Sequence, residues 1–115
     1  MKVSIAWYVV KDFEAAKKFY GETLGLKKIF EMPGWAEFGH QEGAATIGIS
    51  TMPGSSGGAT VVLAVDDLNS TMRRLTSKGV RFEGEVQEIP EVVRIATFKD
   101  PAGNVVQLAQ SLFAN

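Results

Sequence analysis

The sequence contains no cysteine and only one histidine, His40. The first absence excludes disulfides, thiolate metal sites and cysteine nucleophiles. The second excludes any metal or catalytic site that needs two histidines from one chain. Charge of one sign is also lacking. Twelve lysines and arginines against 13 acidic residues leave a formal net charge of −1 and a pI near 5.8. Such a balance gives no field for attracting nucleic acid or an acidic membrane. Long hydrophobic runs are missing too. The apolar stretch from Val3 to Val10 ends at Lys11 and Asp12, too short to span a membrane and without a small-residue cleavage site. The expected setting is the cytoplasm, with neither nucleic acid nor membrane as partner.

What the chain does have is apolar content and an internal repeat. Hydrophobic residues make up 45% of its 115 residues, enough for one packed domain and too few residues for two independent ones. Val10-Lys11-Asp12-Phe13 opens one helical stretch, and Val65-Asp66-Asp67-Leu68 opens another. Each closes on a glycine followed by an apolar residue, Gly25-Leu26 and Gly79-Val80. The spacing from Asp to Gly is 13 residues in the first copy and 12 in the second. "WAEF" at 35–38 matches "IATF" at 95–98. The Gly/Ser/Pro-rich "TMPGSSGG" divides the halves. One domain over 1–115 is expected, with a first module over 1–52, a linker over 53–58 and a second module over 59–115.

Each module reads as strand, helix and three strands. Asp12 and Asp67 are predicted N-caps, because a carboxylate there accepts from the free amides of the first turn. Phe13, Ala16, Phe19, Tyr20 and Leu24 recur at helical steps and predict one apolar stripe. Leu68, Met72 and Leu75 predict a narrower one. Strands are expected near 3–10, 26–32, 35–39, 44–50, 59–65, 81–88, 92–99 and 104–110. The fold class is α+β, two tandem βαβββ modules.

"VVKDFEAAKKFYGETLGL" (9–26), "GWAEFG" (34–39), "VVLAVDDLNS" (61–70) and "TFKDPAGNVVQLAQ" (97–110) together resemble the vicinal oxygen chelate superfamily. That superfamily includes glyoxalase I, extradiol dioxygenases and the fosfomycin and bleomycin resistance proteins. The resemblance covers essentially the whole chain. It implies a mixed sheet bent into a cup with helices on the outer face, and a homodimer. It also implies four metal-ligand positions on the concave face, which fall here on Ile5, Gly48, Thr60 and Gln107. Isoleucine and glycine offer no side-chain donor, and a hydroxyl and an amide are weak neutral ones, whereas transition metals favour imidazole or carboxylate. The expectation is therefore no metal and no cofactor, in the character of the metal-free bleomycin-resistance-like members.

Strand alternation adds neighbours to that face. Trp7 shares it with Ile5, and Val62 shares it with Thr60. Trp7 is either a stacking platform for a flat ligand or a filler of the cup or of a dimer contact. Trp35, after Pro33-Gly34, belongs at the rim or in packing. Glu37 alternates with it and is either a carboxylate for a cationic ligand or a solvent-facing side chain. The candidate ligand-binding residues are thus Ile5, Trp7, Trp35, Glu37, Gly48, Thr60, Val62 and Gln107. Arg94 is a further candidate for an anionic group, and Glu37, His40 and Glu42 for a displaced metal site. The first functional reading is metal-independent binding of a small aromatic or apolar molecule. The alternative is a glyoxalase-like lyase or dioxygenase with a displaced or absent metal site. A dimerisation module whose cup is closed by its own side chains is the third.

Overall fold

A computed structural model describes residues 1–52, 58–101 and 103–113. Most of the expected linker, residues 53–57, lies outside the described residues, as does Ala102 in the turn before the last strand. Among the described residues, eight strands and two α-helices make a mixed-sheet α+β fold. They fall into two compact units, residues 4–60 and residues 61–115 together with 1–3.

In the 4–60 unit the strands are β1 (Lys2–Val9), β2 (Lys27–Met32), β3 (Trp35–Gly39) and β4 (Thr46–Ser50). Their order is β2-β3-β4-β1, with β1 parallel to β4 and the other pairs antiparallel. Helix α1 (Phe13–Lys18) starts where expected, with the Asp12 carboxylate accepting from Ala15 N–H at 3.0 Å. Ala36, Phe38 and Ile49 are the buried centre, and Val10, Phe13, Ala16, Tyr20 and Leu26 pack on them. One face of β3 and β4 therefore meets the helix, and the alternate residues face the other way.

The second unit repeats the plan. Strands β5 (Thr60–Ala64), β6 (Phe82–Ile89), β7 (Val93–Lys99) and β8 (Val105–Ser111) are ordered β5-β8-β7-β6, with β5 parallel to β8 and the rest antiparallel. Helix α2 (Leu68–Ser77) is capped by Asp67, which accepts from Ser70 N–H at 3.1 Å. Leu68, Met72 and Leu75 pack with Val65, Ala96 and Leu108, as their spacing predicts.

The first helix departs from expectation. Beyond Lys18 the chain widens into a π-helical turn, Phe19–Thr23. Phe19 and Leu24, expected in the apolar stripe, are 47% and 52% exposed. The hydrogen bonds locate the cause. In the second copy Val80 N–H closes on the Leu75 carbonyl, and in the first Leu26 N–H closes on the Tyr20 carbonyl, one residue further round. Tyr20 and Leu75 stand at the same distance from their capping aspartates, and both pack into the core. The extra residue of the longer first copy therefore lies between Tyr20 and Leu26. The π-helical turn absorbs it, and Gly25 (φ 75°) still ends the helix as Gly79 (φ 97°) does.

Candidate functional site

Five of the sequence-predicted residues gather on the face of the 4–60 unit that turns away from α1. The registers set Ile5 opposite Thr46, Trp7 opposite Gly48, and Glu37 opposite Gly48 on its other side. Trp35 begins β3 directly after the Pro33-Gly34 turn. Its indole reaches back across β4 and lies over Gly48. A Cβ added to Gly48 would sit 2.7 Å from Trp35 Cη2, 2.9 Å from Trp35 Cζ2 and 2.9 Å from Trp7 Cβ. Trp7 meets the Trp35 ring edge-on, with centroids 5.6 Å apart and planes at 71°.

Glu37 completes the group. Trp35 Nε1 donates to its Oε2 at 2.8 Å, and Thr46 Oγ1 donates to its Oε1 at 3.1 Å. The side chain is half-buried, not solvent-facing. Each carboxylate oxygen thus has one donor and keeps a lone pair. Sequence reasoning offered Trp35 and Glu37 as candidates, with packing and solvent exposure as their alternatives, but missed Thr46 as a partner, since the contact joins different strands. It also missed Phe30, which the β2–β3 register sets opposite Glu37, because a register shift between Lys28 and Phe30 changes the alternation of β2.

The remaining candidates lie elsewhere. Val62 and Gln107 are paired across β5 and β8 in the second unit, where Gln107 Nε2 donates to Thr97 Oγ1 at 3.3 Å. Thr60 opens β5 and is buried. Arg94 lies near Glu88, Nε to Oε1 at 3.5 Å. His40 and Glu42 are exposed in the connection between β3 and β4.

The residues at the four implied ligand positions do not fit a transition metal. None carries imidazole or carboxylate, and the space beside Gly48 is taken by indole carbon. Among the described residues, no buried side-chain nitrogen or oxygen lacks a hydrogen-bond partner. No group of three or more His, Cys, Asp or Glu is arranged to hold an ion there either.

A second surface lies on the helix side, an open groove of about 350 Å³ between α1, the π-helical turn and β2. Its charges compensate one another. Lys17 Nζ meets Glu31 at 2.9 Å and Glu14 at 3.1 Å, and Lys28 meets Glu31 at 2.8 Å. Lys28 and then Lys17 hold the Glu31 carboxyl below its ordinary range, and Glu31 and then Glu14 raise the Lys17 ammonium.

Comparison with known proteins agrees with this architecture. The family model for the Glyoxalase/Bleomycin resistance protein/Dioxygenase superfamily matches residues 3–108. The uncharacterized protein YurT of Bacillus subtilis (strain 168) is 28% identical over 127 aligned residues, which cover 96% of this chain and 99% of that protein. A solved methylmalonyl-CoA epimerase from Mycobacterium tuberculosis superposes with a TM-score of 0.77 at 23% identity, over 96% of this chain and 87% of that one. A Mn(II)-bound glyoxalase from Novosphingobium aromaticivorans gives 0.67 at 21% identity, over 97% of this chain and 39% of that one. At these identities the two structures share the fold. No helix among the described residues is long and apolar enough to cross a membrane.

Proposed function

This chain belongs to the Glyoxalase/Bleomycin resistance protein/Dioxygenase superfamily, and from that premise we propose that it binds a small aromatic or apolar molecule without using a metal ion. The binding surface is the face of the 4–60 unit that carries Trp7, Trp35 and Glu37. One observation carries the reading. The indole of Trp35 covers Gly48, a position where the superfamily resemblance implies a metal ligand. A flat hydrophobic surface with one oriented polar group is what a small-molecule site needs. Homodimer assembly, implied by the resemblance, is part of the same proposal.

An enzyme is the second reading. The observation that favours it is Glu37, a half-buried carboxylate held by two donors and able to accept a proton from a bound molecule. In the superfamily's metal-dependent lyases and dioxygenases the ion polarises substrate oxygens, and the four positions in this chain offer such an ion no suitable donor set.

The test is elemental analysis of tag-free protein purified without chelator, followed by thermal shift with Mn(II), Ni(II) and Zn(II). The expected result is no stoichiometric transition metal and no stabilisation by any of the three. About one ion per chain, with matching stabilisation, would overturn the metal-free reading and favour the enzyme.

A further inference from the structure

The electrostatics of the Trp7–Trp35–Glu37 face are unbalanced. Every other position that shares this face on β1, β3 and β4 is neutral. Among the described residues, no lysine or arginine lies within ion-pair distance of Glu37. Lys27, opposite Gly39 on β2, is exposed and forms no ion pair among the described residues, while Lys17 and Lys28 are engaged with Glu31. Glu37 is thus a half-buried carboxylate held by two neutral donors, with no cationic side chain paired to it among the described residues. A ligand that brings a positive charge would supply the partner this carboxylate lacks within the chain's described residues.

The neighbouring rings favour the same sign of charge. Indole is the best of the protein aromatic faces for a cation, through its quadrupole. Trp35 donates its N–H to an anion, which polarises the ring toward still greater electron density on its face. Trp7 stands edge-on to it, and the register places Phe30 beside Glu37. The described cation–π contact in this unit is elsewhere, Lys17 over Phe13.

We infer that the molecule held on this face is an organic cation, an ammonium or amidinium group carried on an apolar or aromatic body. Its charge meets Glu37, and its apolar part meets the indoles of Trp7 and Trp35. This inference rests on the binding reading above and adds the sign of the ligand's charge.

The test uses three probes of matched size, phenethylamine (cationic at neutral pH), phenethyl alcohol and phenylacetate, titrated against intrinsic tryptophan fluorescence. Phenethylamine is expected to bind about tenfold tighter than the alcohol, with phenylacetate weakest. Glu37→Gln keeps an acceptor for Trp35 Nε1 and is expected to abolish the preference for the amine over the alcohol. Equal affinities for amine and alcohol would overturn the charge inference and leave the binding reading standing. A preference that survives Glu37→Gln would overturn the role of Glu37. No binding of any probe at millimolar concentration would overturn both readings. A salt series on the unmodified protein supplies a measurement independent of the variant's folding. The preference for the amine should shrink as sodium chloride is added, and indifference to salt would overturn the inference.

Discussion

Gly48 has no side chain, and two tryptophans use the space. Of the atoms a Cβ would meet there, the Trp35 ring atoms end a rigid side chain, and Trp7 Cβ is fixed to its own backbone. Neither can give way cheaply. Gly48→Ala is therefore expected to destabilise the protein by about 1–3 kcal/mol, read as a lower urea midpoint. The loss should shrink in a Trp35→Phe background, where the smaller ring leaves room. An unchanged midpoint in the single variant would show that the indole is not held against the strand. The sequence gives the face on which these residues lie, because alternation along a strand has a fixed period of two. It does not give the direction in which an indole swings. Gly48 is an empty ligand position in the sequence and a packed one in the structure.

Elements were more legible than their connections. Asp12 and Asp67 are readable as caps because each acts on an amide three residues away. The link between α2 and its sheet is not local. Leu68 N–H donates to Gln110 Oε1 at 2.7 Å, 42 residues on, and Leu68 is fully buried. Sequence reading of "VVQLAQ" concentrated on Gln107 and left Gln110 unassigned, since nothing nearby in the chain marks it as a partner. Gln110→Ala leaves that amide without its acceptor and is expected to cost about 1–3 kcal/mol. Hydrogen exchange at the first turn of α2 should accelerate more than at its last turn. Uniform acceleration along the helix would indicate a general loss of packing instead. The π-helical turn was hidden for a different reason: the 13-against-12 spacing shows that the first copy has one more residue, but not where in the helix it is absorbed.

At the scale of the whole chain, the repeat was the clearest message in the sequence and the most useful. Two caps, two glycine stops and two matched strands predicted two units of the same plan. The structure has them, each with its own buried centre, Ile49 with Phe38 in one and Leu68 with Leu108 in the other. The first three residues group with the second unit, a membership that no local pattern marks.

The π-helical turn has a consequence for how the chain tolerates shortening. It holds a residue that the second copy does without, and the flanking caps and core contacts match on either side of it. In a library of single-codon deletions across residues 13 to 26, tolerated members should cluster between Tyr20 and Leu26. Losing one residue there lets the turn rewind as ordinary α-helix. Losing one between Phe13 and Tyr20 rotates Tyr20 off the core by about 100°. An even spread of survivors would contradict this. The widened turn is thus a reserve of slack, the place where a gene encoding this protein can lose a codon without losing the fold.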